Sequence, residues 1–153
     1  MQLVATIRAM PAATRTITIN RPIADVFAYI ADGTQATKWR TGVLDISLVS
    51  GQGVGQKWAQ GVRGPGGRRI AADFEITAYE PPNKLEFQTT AGPVRPTGGY
   101  QLTASDPDGT DVTFWLRAEL GGIKGLLLGG SVQKTMDAEM AGLDRLKSAL
   151  ESS

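Results

Sequence analysis

Thr16-Ile17-Thr18-Ile19-Asn20-Arg21-Pro22-Ile23-Ala24-Asp25-Val26-Phe27-Ala28-Tyr29-Ile30-Ala31-Asp32 reads as a strand that runs directly into a short helix. From Thr14 to Asn20, Ile17 and Ile19 fall on one face, the two-residue period of a half-buried strand. Arg21-Pro22 ends it, because proline lacks an N–H for the ladder yet suits the first turn of a helix. Asn20 stands where a cap would be expected. Val26, Phe27 and Ile30 then form an apolar face at helical spacing, Asp32-Gly33 stops the helix, and a second short helical turn carries Lys38-Trp39.

Downstream the pattern turns to strands: Val43 to Val49, Gln56 to Val62, Arg69 to Tyr79, Leu85 to Thr89, Gly98 to Ala104, and a last run through Val112, Phe114, Leu116 and Ala118. Between them lie Gly51-Gln-Gly-Val-Gly55, Gly64-Pro-Gly-Gly67, Glu80-Pro-Pro-Asn83 and Asp106-Pro-Asp-Gly109, which have turn chemistry. The chain closes from about Gly125 to Glu151 with one long amphipathic helix. Leu128, Val132, Met136, Met140, Leu143, Leu146 and Leu150 recur at spacings of three and four. Residues 1 to 12 have no clear pattern and read either as a frayed tail or as an extension of the first strand. The expected fold is α+β: a curved antiparallel sheet of about six or seven strands wrapped around a long C-terminal helix, with two short helices after the first strand. Such an arrangement leaves a cavity between sheet and helix.

Composition narrows the chemistry. The 153 residues are 41% hydrophobic and 20% charged, with a net charge of +1, which fits one globular domain over 1–153. So small a net charge favours neither nucleic acid nor an anionic membrane. There is no Cys and no His. That excludes disulfides, thiolate nucleophiles, Cys/His zinc sites and every histidine-based triad. No run approaches the ~18 apolar residues of a membrane span, and residues 1–8 lack the regions of a signal peptide, so a cytoplasmic protein is expected. Neither cofactor nor metal is expected.

The order of elements, together with Ile19-Asn-Arg-Pro-Ile-Ala-Asp-Val-Phe-Ala-Tyr-Ile30, Trp39, the Glu80-Pro-Pro turn with Leu85 and Phe87, and the helix ending Leu146-Lys-Ser-Ala-Leu-Glu151, resembles the START-like, polyketide cyclase/dehydratase-like (SRPBCC) superfamily. The resemblance covers roughly residues 14 to 151 and implies the helix-grip fold, with a ligand cavity between the long helix and the sheet. It does not fix the activity, because this fold hosts lipid carriers, hormone binders, cyclases and co-chaperone-like modules. The leading expectation is a binding protein for a hydrophobic or amphipathic small molecule such as a lipid or polyketide. A cyclase/dehydratase-like enzyme and a co-chaperone-like interaction module are the alternatives. Trp39, Trp58, Phe74, Phe87, Tyr100, Met136 and Met140 are expected to line the cavity, with the indole N–H of Trp58 and the phenol of Tyr100 as its two polar points.

Other groupings are weaker. Gly51-x-Gly-x-Gly55 has neither the spacing nor the following helix of a phosphate loop. Asp73 and Glu75 share a face of their expected strand, out of phase with Phe74 and Ile76, and so point to solvent. Lys57, Arg63, Arg68 and Arg69 lie in a window without Asp or Glu. They read as a solvated hairpin tip, with an anion-contacting pocket mouth as the alternative. Arg63, Arg68, Arg95 and Arg117 could each offer positive charge to a carboxylate or enolate. Trp115, out of phase with its neighbours, fits either the convex surface or the underside of the first residues. Gly129, Gly130 and Gly142 indicate close packing or a late helix start, with ligand space as the alternative. Dimerisation is permitted, since no edge strand is visibly protected.

Overall fold

The computed structural model describes the backbone of residues 8–153 and the side chains of residues 10–120 and 129–153. In chain order the elements are β1 (Arg8–Ala9), β2 (Ala12–Ile19), α1 (Ile23–Ala31), a single 3-10 turn at Gly33–Gln35, α2 (Ala36–Trp39), β3 (Val43–Ser50), β4 (Lys57–Arg63), β5 (Arg69–Ala71), β6 (Phe74–Glu80), β7 (Lys84–Thr89), β8 (Thr97–Ser105), β9 (Gly109–Arg117), β10 (Leu120–Gly121) and α3 (Gly122–Glu151). The main sheet is antiparallel with strand order β2-β9-β8-β7-β6-β4-β3, and β5 pairs with β4 beside β6. β1 and β10 form a small separate ladder. The expected α+β architecture is the one observed. Leu128 and residues 1–7 lie outside the described side chains and backbone respectively.

The strand-to-helix junction forms for reasons that differ in part from the expectation. Pro22, not Asn20, stands at the helix start, and its carbonyl accepts from the N–H groups of Asp25 and Val26. Asn20 lies too early to cap, and its backbone N–H donates instead to Glu151 Oε2 at 2.8 Å. Arg21 Nη1 donates to the Leu150 carbonyl at 2.7 Å, placing a cation on the carbonyl end of α3. The junction thereby ties the first long strand to the last helical turn. Asp32 ends α1 and accepts from the Thr34 N–H and hydroxyl, which holds its carboxyl below the usual range.

The 30 residues of α3 span about 45 Å at 1.5 Å per residue. Its C-terminal half packs tightly: Leu143 and Leu146 are fully buried against Ile19, Val26, Leu102 and Val112. Gly142 permits a close crossing there, since a Cβ on it would stand 3.3 Å from the Trp39 carbonyl oxygen. Gly130, by contrast, has open space beside it. Small residues on this helix therefore serve packing at one position and not at the other.

One strand expectation needs correction. Arg69 to Tyr79 is not continuous: β4 pairs first with β5 and then with β6, and Ala72-Asp73 form the break. Gln60 spans it, its N–H donating to Asp73 Oδ1 at 3.0 Å and its Nε2 to the Ala72 carbonyl at 3.1 Å. An aspartate that satisfies backbone donors itself competes with the ladder. Asp73 and Glu75 are accordingly not a pair on one strand face. Trp115 lies between Thr14 and Gly99 in the sheet register, with the Arg117 guanidinium 5.0 Å from its ring centroid. It thus stands on the sheet face opposite Phe114 and Leu116.

Candidate functional site

Inward-facing residues of the central strands carry an aromatic series across the concave face. Trp58 (β4) stacks on Phe74 (β6) with centroids 6.4 Å apart, and Phe74 meets Phe87 (β7) edge-on at 5.7 Å. Phe87 lies 6.4 Å from Tyr100 (β8), which stacks on Phe114 (β9) at 4.5 Å. Trp39 closes the series from α2, edge-on to Tyr100 at 6.2 Å. The order follows from register, since Trp58 is opposite Phe74 and Tyr100 is opposite Phe114. Gly33 lets the Trp58 ring lie against the turn after α1, where a Cβ would come within 2.8 Å of the indole.

Between this wall and the N-terminal half of α3 is a hollow of about 320 Å³. Trp39, Trp58, Phe74, Phe87, Tyr100 and Met136 all border it, with Ile46, Ile76, Leu85, Leu116 and Val132 completing its apolar surface. Met140, expected among them, does not. It lies one turn further along α3, buried in the packed core, and its carbonyl accepts from Arg15 Nη1 at 3.1 Å. The second polar point expected of the lining is also absent, because the Trp58 indole N–H is already donated to Gln56 Oε1 at 2.9 Å.

The sequence reading missed a polar cluster set into the same wall. Arg40, directly after α2, donates from Nε to Glu139 Oε2 at 2.9 Å and from Nη2 to Glu139 Oε1 at 3.3 Å. Its Nη1 donates to Gln60 Oε1 at 3.0 Å. Both charged side chains are only 17% exposed, and all three residues border the hollow. Burial alone would lower the Arg40 guanidinium, but the Glu139 carboxylate outweighs it and the group stands above its ordinary value. Tyr100 lies within electrostatic reach of both partners; burial pushes its phenol far up, so it stays protonated through the physiological range. Glu139 and Gln60 did leave a signal in the sequence. Glu139 occupies an inward slot, three residues after Met136 and four before Leu143, and Gln60 lies in phase between Trp58 and Val62.

The basic residues read from the hairpin are dispersed. Arg69 is held by Asp45 through two bonds of 2.8 Å on the outer face, and Lys57 stands opposite Glu75 in the ladder. Arg95 Nε donates to the Gly92 carbonyl at 3.2 Å, and of the four arginines named as charge donors only Arg63 borders the hollow. No cluster of three or more metal-ligating side chains occurs among the described residues, and no helix among them is long and apolar enough to cross a membrane.

A curved antiparallel sheet gripping one long helix around an aromatic-walled hollow defines the helix-grip class of proteins. Within it, the chain belongs to the family described as polyketide cyclase / dehydrase and lipid transport, whose model matches residues 10–151. Among solved structures it resembles TTHA0849 from Thermus thermophilus, at 22% identity and a TM-score of 0.78, over 94% of this chain and 99% of that one. It also resembles a START superfamily protein from Mycobacterium smegmatis, with 11% identity, a TM-score of 0.76, and 92% and 97% of the two chains covered. The Zhui aromatase/cyclase from Streptomyces sp. R1128 aligns at 15% identity and a TM-score of 0.73, over 93% of this chain and 94% of that one. At these identities the likeness concerns the fold. No curated protein matches the chain.

Proposed function

We propose that the protein binds a hydrophobic or amphipathic small molecule, of the size of a lipid chain, polyketide or similar metabolite, in the hollow between sheet and α3. The observation that carries this reading is the continuous aromatic wall around about 320 Å³ of space, a volume within the range of small-molecule sites. Enclosing about 300 Å² of apolar ligand surface contributes about 7.5 kcal/mol at 25 cal/mol per Å², before ordering costs. The ligand contacts are Trp39, Trp58, Phe74, Phe87, Tyr100 and Met136. The absence of Cys and His and the modest net charge fit a cytoplasmic protein that acts without cofactor or nucleic acid. If the protein pairs with a second copy, the sheet edge left open by α3, β3, is where that copy would add.

Native mass spectrometry of the protein purified from cell extract, followed by denaturation and analysis of released molecules, tests the reading. A stoichiometric small molecule is the expected result. A bare mass, combined with no saturable uptake of the neutral dye Nile red, would overturn it.

A cyclase/dehydratase-like activity is the second reading, and the buried Arg40–Glu139–Gln60 cluster beside Tyr100 is the observation that favours it, because proton chemistry on a bound substrate needs polar groups inside the cavity. The co-chaperone-like alternative requires a collapsed interior, and the hollow counts against it.

A further inference from the structure

The two ends of the main sheet are finished differently. At β2 the outer backbone groups are taken up by α3: Gln133 bonds both backbone groups of Ala12, Lys147 donates to the Thr18 carbonyl, and Glu151 accepts the Asn20 N–H. At the other end β3 pairs with β4 alone, and among the described residues no backbone group of 44–50 bonds to any other element. The bare N–H and C=O groups of such an edge are a template for a further strand. Neither Lys nor Pro guards it, and the one charged residue of β3, Asp45, is held by Arg69 through two bonds of 2.8 Å. Apolar surface collects at the same place. Of the six large hydrophobic side chains exposed among the described residues, Leu44, Leu48 and Val49 lie on β3 and Val54 on the turn after it. Bulges at Leu44 and Val49 bracket a regular stretch, residues 45–48, in step with 58–61 of β4.

We infer that the protein forms a two-fold dimer in which β3 pairs antiparallel with β3 of a second copy about Ser47, joining the two main sheets into one. Residues directly opposite each other in a sheet share a face, so the two-fold falls on a residue rather than between two. At Ser47 it sets Ile46 of each copy against the partner's Leu48. Both side chains lie on the concave face, because they stand opposite Gln60 and Trp58 in the register. The pairing therefore covers the half-exposed Leu48 with an apolar neighbour. It also matches charge. On the outer face Asp45 stands toward one end of β3, and Lys57, opposite Ser50, toward the other. An antiparallel two-fold brings the Asp45 end of each copy to the Lys57 end of the next. Because α3 sheathes β2, each main sheet offers one bare end, and the pairing closes at two copies instead of continuing as a filament. The inference does not depend on what fills the hollow.

The chain has no cysteine, so a single introduced thiol reports on the seam without background. In the full chain, Ser47→Cys places two thiols on the two-fold, where opposed Cα atoms about 4.5–5.5 Å apart lie within disulfide reach. Thr103→Cys, exposed on β8 in the interior of the sheet, is the control. Mild oxidation is expected to convert Ser47→Cys almost wholly to a covalent dimer on non-reducing electrophoresis and to leave Thr103→Cys monomeric. Sedimentation equilibrium over the micromolar range should give a dimer for the native chain. Leu48→Lys, which puts an ammonium on both sides of the seam, should weaken it roughly tenfold or more. Leu48 is 51% exposed, so this variant should keep its fold, as thermal unfolding checks. A native chain that stays monomeric throughout would overturn the inference. So would a dimer that ignores Leu48→Lys or fails to cross-link at Ser47→Cys. Nile red uptake by the native chain reads the binding proposal separately.

Discussion

The two ends of the interior are built from the same sheet and the same helix, yet one is solid and the other hollow. At the solid end, Leu143 and Leu146 of α3 meet Ile19, Val26, Leu102 and Val112, all with essentially no exposure. At the hollow end, Val132 and Met136 of α3 face an aromatic wall across unfilled space. The side chains at the solid end are compact aliphatics, which interdigitate to native density. Those at the hollow end are flat rings in stacked, tilted and edge-on contact with one another, and they leave open space between the sheet and the helix. Close packing is therefore concentrated at one end, and open space at the other.

Truncation gives the largest contrast. Leu146→Ala should cost about 3–4 kcal/mol by chemical denaturation, because a fully enclosed methyl cluster leaves a cavity. Phe87→Ala, bordering space that already exists, should cost less than the 3–5 kcal/mol usual for a packed phenylalanine, about 2 kcal/mol. Equal losses at the two sites would show that the hollow is filled in solution.

Enlargement should reverse the pattern. Val112→Phe at the solid end should destabilise by about 2–3 kcal/mol through overpacking. Val132→Phe at the hollow end should change stability by less than about 1 kcal/mol while lowering Nile red uptake at least tenfold, a result read from paired unfolding and binding titrations.

The polar cluster tests the boundary between the two ends. Glu139→Gln keeps the shape but leaves the Arg40 guanidinium without its counter-charge. A loss of about 1–2 kcal/mol is expected, smaller than for a wholly enclosed pair because both side chains keep 17% exposure. The smallest effect belongs to the surface pair of Arg15 with Asp144, at 2.7 Å. Bonding to Arg15 lowers the Asp144 carboxyl, so its contribution is present above the ordinary value of 3.8 and is lost as pH falls below that value through the folded one. The melting temperature of Asp144→Asn should thus lie slightly below that of the native protein near neutrality, and the difference should close in acid.

Most of the fold was legible because it is written in short periods. Alternation marked β2, β8 and β9, three-and-four spacing marked α3, and proline with glycine marked the turns. Inward phase was also readable, which is why Trp58, Phe74, Phe87 and Tyr100 were expected on the concave face. What was not legible depended on partners distant in the chain. Nothing near Arg69 indicates Asp45, nothing near Arg40 indicates Glu139, and the Gln60–Asp73 contact that divides one expected strand into β5 and β6 forms only when β4 changes neighbours. Met140 was misplaced for a related reason. Periodicity gives the face of a helix, not the point along its length where packing stops and space begins.

The bonds by which α3 covers the free edge of β2 have a consequence for how the molecule comes into being. Gln133 bonds both backbone groups of Ala12, Lys147 reaches the Thr18 carbonyl, and Glu151 receives the Asn20 N–H. These partners lie 121 to 131 residues apart in the chain. β2 is thus made on the ribosome well before its sheath, with more than a hundred residues synthesised between them. While those intervening residues are made, the nascent strand carries a bare edge, open to pairing with whatever other strand is at hand. A chain whose translation stalls before Gln133 is therefore expected to be a target for chaperones, and only completion of α3 releases it from them.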